Sequence, residues 1–264
     1  MTKIKWFAVI RAYGLFLVLG YHLFYNIFPA GFLGVDIFFT FSGFLVTALA
    51  INEVHQSGEF SLLRFCKRRA KRIVIPLYFA VIFTLPLLLL ISPDFSVGIA
   101  KQTAAALSFT TNWFHIMTGS SYEAQLLPSY YIHTWSLAIE MQFYISWGLL
   151  CTLISAGAKL FFSENSNSRY KFFKFSILFI SGSLAVLSYL YMEKMYNTGS
   201  SLDAIYFNTF ARFFPFFTGA FAASIWGVQD KQYLIEKSRS GRGKPLTFGI
   251  LLITFITAAY ILLI

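Results

Sequence analysis

The chain has 264 residues, of which 57% are hydrophobic and 12% charged. Soluble domains carry about a quarter charged residues, so this composition excludes an ordinary soluble globular domain, although the length would suit one. The formal charge of +10 raises the question of nucleic-acid binding, but the basic residues are dispersed over separate short segments and that class is set aside.

Stretches of about 20 apolar residues match the hydrocarbon thickness of a bilayer. Seven occur in chain order: Trp6–Phe28, Phe32–Ile51, Ile73–Ser92, Trp135–Ala156, Phe172–Met192, Tyr206–Gly227 and Leu246–Ile264. The expected fold class is all-α, a polytopic transmembrane helical bundle, with residues 1–264 as one membrane domain. Lys3 and Lys5 ahead of the first run invite a signal-peptide reading, but Arg11 interrupts that run and no small-residue cleavage site follows. It is read as a retained span.

Lys and Arg gather in the loop Asn52–Arg72, which holds Arg64, Lys67, Arg68, Arg69, Lys71 and Arg72. A second basic loop holds Lys159, Arg169, Lys171 and Lys174, and a third Lys231, Lys237, Arg239, Arg242 and Lys244. Cytoplasmic loops carry such an excess, which places the N-terminus inside in a multi-pass protein of the plasma membrane. Pro93–Thr134 then becomes one external segment whose apolar patch, Ala104–Met117, is interfacial or re-entrant. Cys66 and Cys151 both fall on the reducing side, where no disulfide is expected, and no Cys/His spacing suggests zinc. No repeat of fixed period and no linker divides the chain. It stops at Ile264 inside an apolar run, as a last helix can, but also as a longer protein cut short would.

Charged side chains inside a bilayer cost at least ~2.5–3.5 kcal/mol each and mark function by default. Arg11 and His22 lie eleven residues apart in the first span. At ~100° and ~1.5 Å per residue they share a helix face and differ in depth by ~16 Å. Asn26 lies one turn further on that face. The connection through Pro29, Ala30 and Gly31 returns the second span antiparallel beside the first, with Asp36 entering at a depth close to His22. A carboxylate there fixes the imidazole tautomer and supports its charged form; the alternative is a satisfied polar pair that packs two helices. Glu140 near the start of the fourth span and Arg212 in the sixth are candidates for chemistry or for structural pairing. His133 is placed at the external interface, while His55 and His115 sit in loops without a role. Arg68-Arg69-Ala70-Lys71-Arg72 is either a positive-inside anchor or a phosphate site built on Arg forks.

Taken in order, these residues resemble a family. The Arg11-x10-His22 pair is followed by Gly31-Phe-Leu-Gly34-Val-Asp36-Ile-Phe-Phe-Thr-Phe-Ser42-Gly43, then by Arg69-x-x-Arg72. His133-x-Trp135-Ser136-Leu137-x-x-Glu140-x-Gln142-Phe143-Tyr144 comes next, and finally Tyr206-x-x-Thr209-x-x-Arg212 ahead of Gly219-Ala220. The ensemble, from Lys5 to about Ala223, resembles the acyltransferase-3 family of membrane O-acyltransferases, and within it the peptidoglycan O-acetyltransferases of Gram-positive cocci.

The resemblance implies transfer of an acetyl group from cytoplasmic acetyl-CoA, a donor substrate rather than a bound cofactor, to a hydroxyl of a cell-envelope glycan such as peptidoglycan. It implies that Arg69 and Arg72, with Arg68 beside them, hold coenzyme A. It makes Arg11 and His22 the catalytic pair, with Asp36 and Glu140 in support and His133 and Arg212 toward the acceptor. His22 serves as general base or as acyl carrier, and the sequence leaves both open. Members have more spans than seven, and the peptidoglycan branch adds an external SGNH-type esterase domain. No such Ser/His/Asp set is present here, so a separate external partner is expected besides lipid, donor and glycan. Two other classes remain: a transporter or flippase of lipid-linked glycans, with Arg11, Asp36, Glu140 and Arg212 lining a polar path, and a non-catalytic truncated bundle.

Overall fold

The computed structural model describes residues 5–91, 98–119, 129–163 and 165–226. Among them every regular element is helical. In chain order these are α1 (Lys5–Leu23), a 3-10 turn (Gly31–Leu33), α2 (Gly34–Ser57), α3 (Leu62–Ile91), α4 (Ile99–Leu107) and α5 (Thr111–Thr118). A second 3-10 turn (Ile132–Thr134) leads into α6 (Trp135–Phe161), followed by α7 (Ser166–Asn197), α8 (Leu202–Phe207), α9 (Thr209–Arg212) and α10 (Phe214–Trp226).

Four helical segments are long and apolar enough to cross a membrane: Gly31–Ser57, Leu62–Leu90, Ile132–Phe161 and Ser166–Asn197. They correspond to the second through fifth apolar runs of the sequence, each extended by polar ends. The first run gives a shorter apolar helix, Val9–Leu23, and the seventh, Leu246–Ile264, lies outside the described residues. The sixth is not one helix. Asn208 adopts an extended conformation (φ −72°, ψ 124°) and its side chain accepts from the backbone N–H groups of Phe210 and Ala211. This N-cap starts α9 afresh, and α10 begins after Phe213, with Pro215 in its first turn where a missing N–H does no harm.

Two of the three basic "loops" are also largely helical, and the third, residues 231–244, lies outside the described residues. Arg64 through Arg72 occupy the first turns of α3, Lys159 the last turn of α6, and Arg169, Lys171 and Lys174 the start of α7. Hydropathy ends a span at its first charges, whereas the helix continues because long basic side chains carry their heads beyond the apolar zone. The patch Ala104–Met117 forms parts of α4 and α5, both too short to span. His55 ends α2 and His115 lies in α5, so neither is in a loop.

The chain divides into two compact units. The first takes the residues up to Phe60, Ile154–Val186 and those from Phe214 on; the second takes Ser61–Leu153 and Leu187–Phe213. In the first unit, α1 and α2 are antiparallel. Gly31 backs onto Leu17 and Tyr21, and Gly34 onto Gly14, Leu17 and Val18. Helix α10 crosses α2 at still closer range. A Cβ on Gly43 would lie 2.0 Å from the Phe216 carbonyl oxygen, and one on Gly219 would lie 1.9 Å from that of Thr40. Small residues let helix backbones meet in this way inside a membrane, and Phe39 stacks on Phe216 beside the crossing at 4.4 Å. At the end of α2, Lys159 pairs with Glu59 at 2.7 Å; that bond, then the charges of Lys159 and Arg169, hold the Glu59 carboxyl below its usual range.

The second unit is tied by polar contacts as well as by apolar packing. The Thr84 hydroxyl meets the Tyr131 hydroxyl at 3.2 Å, and the Tyr130 N–H donates to Gln102 Oε1 at 3.0 Å. These join α3 and α4 to the turn before α6, over a core of Leu77, Val81, Ile99, Ala106 and Tyr131.

Candidate active site

Of the sequence candidates, Arg11, His22 and Asp36 belong to the first unit, and Arg68, Arg69, Arg72, His133, Glu140 and Arg212 to the second. Arg11 and His22 are both exposed on α1. His22 stands in the last turn rather than within the helix, its ring edge-on to Tyr21 at 5.4 Å. Asn26 is not on that helix face: α1 stops at Leu23 and Asn26 lies in the following turn. Asp36 is 1% exposed. The seating of Gly34 against Gly14 and Val18 sets Asp36 level with the middle of α1. That is roughly two turns from His22, lower than the depth expected from the sequence.

In the second unit the structure brings residues of three motifs into two side-chain groups. The first is built on Arg69. It projects from α3 with only 8% of its surface exposed, while Arg68 is exposed and Arg72 intermediate. Its guanidinium carbon lies 5.6 Å from the centre of the Tyr144 ring on α6, within range of a cation–π attraction. The Tyr144 hydroxyl donates to Glu140 Oε1, one turn earlier on α6, at 2.5 Å. Arg69 Nε and Nη1 are buried and meet no hydrogen-bond acceptor among the described residues. A buried guanidinium with two of its three nitrogens left without acceptors among the described residues is costly unless an anion or polar ligand completes it.

The second group surrounds Arg212, which is 4% exposed. Its guanidinium carbon stands 4.6 Å from the Tyr206 ring centre and 5.8 Å from that of Trp135. The two rings meet at 4.7 Å, and Phe207 packs edge-on to Trp135 at 5.5 Å. His133, in the turn just before Trp135, is exposed. His115 stacks on Phe207 at 5.5 Å; burial pushes its imidazole pKa down, opposed in part by the charge of Asp203.

A third feature was not legible in the sequence. Gln142 Nε2 donates to the Phe109 carbonyl at 2.9 Å and to Asn112 Oδ1 at 3.1 Å. Asn112 Nδ2 donates to the Phe207 carbonyl at 3.0 Å and to Thr209 Oγ1 at 2.9 Å. The Thr209 hydroxyl closes the ring by donating to Gln142 Oε1 at 2.6 Å. Gln142 and Thr209 belong to recognisable motifs, but Asn112 is a lone amide in an apolar patch, and only its burial at 0% exposure reveals its part. Among the described residues no group of His, Cys, Asp and Glu is placed to hold a metal.

Comparison with known proteins identifies the family. A family model described as an acyltransferase domain matches residues 4–264. The chain is 31% identical over 217 residues to an O-acetyltransferase OatA of Staphylococcus aureus (strain NCTC 8325), covering 82% of this chain and 34% of that protein. It is 28% identical over 251 residues to the peptidoglycan O-acetyltransferase OatA of Listeria monocytogenes, covering 94% of this chain and 38% of that protein. The chain thus spans about a third of the length of these relatives. No solved structure matches it.

Proposed function

We propose, from the premise that this chain belongs to the acyltransferase-3 family, that it moves an acetyl group from acetyl-CoA to a hydroxyl of a cell-envelope glycan, with peptidoglycan as the acceptor. The four apolar helices make it an integral membrane protein, and the relatives' names supply the O-acetyl chemistry and, for the Listeria protein, the peptidoglycan acceptor. The basic helix ends face the cytoplasm of a plasma-membrane protein in this reading.

The observation that carries the reading is Arg69. A buried cation on an aromatic face, with Nε and Nη1 lacking acceptors among the described residues, suits a phosphate or pantetheine oxygen of the donor, since guanidinium forks pair with such groups bidentately. Arg72 and Arg68, on the same helix, add positive charge for the remaining phosphates. Arg11 stabilises the negative charge that grows on the thioester oxygen. His22 takes the proton of the acceptor hydroxyl, whose oxygen attacks the thioester carbonyl; the C–S bond breaks and the coenzyme thiolate leaves, to be reprotonated. A transfer in two steps, with His22 as acyl carrier, uses the same groups. Asp36 and Glu140 act through hydrogen bonds and charge, and Arg212 and His133 lie on the acceptor's side. Where the attacking hydroxyl belongs to an SGNH-type domain or protein instead of the glycan, that domain passes the acetyl on to the glycan outside.

The test measures base-releasable acetate on cell-wall glycan in cells lacking their own O-acetyltransferase and supplied with this protein. His22→Ala abolishes the acetate while the protein still reaches the membrane. Arg69→Ala with Arg72→Ala raises the apparent KM for acetyl-CoA in membrane vesicles, on the order of tenfold or more. Unchanged acetate in His22→Ala, or an unchanged KM in the double variant, rejects the roles given to those residues.

A further inference from the structure

We infer that the closed ring Asn112–Gln142–Thr209 is a positioning device that holds α9, and with it Arg212, in register against Trp135 and Tyr206. It bridges α5, α6 and α9 inside the second unit, and every hydrogen-bonding group in it is used. Both amide N–H donors of Gln142 and both of Asn112 are occupied, each amide oxygen accepts, and the Thr209 hydroxyl donates once and accepts once. Such completeness fixes the orientation of both amides: flipping Gln142 sets its oxygen against the Phe109 carbonyl and Asn112 Oδ1, and flipping Asn112 sets its NH2 against that of Gln142 and its oxygen against the Phe207 carbonyl.

The segment it holds needs holding. Helix α9 is four residues long, too short to be stable by its own backbone bonds. It follows the extended Asn208 and begins after the carbonyl of Phe207, to which Asn112 donates. Outside the ring, Ser188 Oγ donates to the Phe210 carbonyl, a second tie on the same turn. Three residues beyond Thr209 stands Arg212, and two residues before Gln142 stands Glu140. The ring therefore fixes the spacing between the helix that carries the aromatic-flanked Arg212 and the helix that carries the Tyr144–Glu140 pair. Neither Asn112 nor Thr209 needs to touch a substrate for this; they are positioning residues.

The functional part of the inference rests on the acyl-transfer reading, but the positioning is read independently of activity. In a Cys66→Ser, Cys151→Ala background, Ala211→Cys places one thiol on α9 at a position 1% exposed. The protein in native membranes is treated with N-ethylmaleimide. Labelling is slow in that variant, speeds up on the order of tenfold or more on adding Thr209→Val, which leaves Gln142 Oε1 and an Asn112 N–H without partners, and stays slow with Thr209→Ser. In the otherwise unaltered protein, Thr209→Val lowers kcat for acetyl transfer with little change in the KM for acetyl-CoA, and Thr209→Ser restores it. Equal labelling of the Val and Ser forms overturns the positioning role. Faster labelling together with unchanged kcat overturns its bearing on the reaction. Faster labelling in a protein whose unaltered form transfers no acetate supports the positioning and removes the acyl-transfer reading instead.

Discussion

The two compact units solve the same problem, holding helices together where the hydrophobic effect between apolar faces is weak, by opposite means. In the first, α2 and α10 meet backbone to backbone at Gly43 and Gly219, with Ala220, Ala222 and Ala223 buried around them. In the second, α5, α6 and α9 meet through a polar ring, and Arg69 and Arg212 sit against aromatic rings. Dispersion between close backbones grows with every atom in contact and tolerates no added volume. A polar ring tolerates small shifts in volume but not the loss of one partner. The motif residues proposed for donor and acceptor, Arg68, Arg69, Arg72, His133 and Arg212, fall in the unit that uses the second device.

Gly219→Leu breaks the comparison most forcefully. The new Cβ alone falls 1.9 Å from the Thr40 carbonyl oxygen and 2.8 Å from the Phe44 nitrogen, so backbone must move rather than a side chain swing aside. We expect a loss of at least about 3 kcal/mol, seen as aggregation on detergent extraction in fluorescence-detected size exclusion. Gly157, whose Cβ would meet nothing within 4 Å, is the matched control: Gly157→Leu runs as the unaltered protein. If the two variants behave alike, the α2–α10 crossing is not close-packed.

Asn112→Leu tests the other device. The side chain keeps its approximate volume, but the Phe207 carbonyl and one Gln142 N–H lose their partner. A buried orphan of this kind costs ~1–3 kcal/mol, so the variant still extracts as a single species with a lowered midpoint of thermal unfolding. An unchanged midpoint means that water or a neighbour replaces the amide, and that the ring stabilises nothing by being closed.

These two sites also mark what the sequence could convey. Hydropathy located α2, α3, α6 and α7 because each carries about 20 apolar residues, and the turn chemistry of Pro29 and Gly31 correctly returned α2 beside α1. It misread Tyr206–Gly227 as a single span because one extended Asn hardly alters a windowed average, although Asn208-Thr209 as a cap and Pro215 as a helix start were visible signals. It misread helix ends as loops at Arg64–Arg72, at Lys159 and at Arg169–Lys174. At the candidate site, the motifs supplied Arg69, Glu140 and Arg212 but not their company. That Tyr144 lies beneath Arg69, that Trp135 and Tyr206 flank Arg212, and that Asn112 closes a ring with Gln142 depend on which helices meet, and spacing along one helix does not encode that. The level of Asp36 followed from where Gly34 seats on α1, a tertiary register that the short connection alone left undetermined.

The smallest effect separates polar from aromatic support inside the second unit. His115 is half-buried on Phe207, and burial lowers its pKa in the fold while Asp203 opposes part of that shift. A folded pKa below the unfolded one means that the unfolded chain binds the proton more readily. The stability His115 contributes is therefore present above the ordinary histidine range and is lost as pH falls through it toward the depressed value. Acidifying from about pH 7.5 to about pH 5 should lower the unfolding midpoint by on the order of 1–2 °C more in the unaltered protein than in His115→Phe, which keeps the ring stacked without a titrating group. The difference stays small because the imidazole is partly in contact with solvent. A steeper acid response in His115→Phe than in the unaltered protein would reverse the sign, making Asp203 rather than burial the dominant neighbour. The α5–α8 contact would then be an ion pair, and the polar character of the second unit would extend to its aromatic edge.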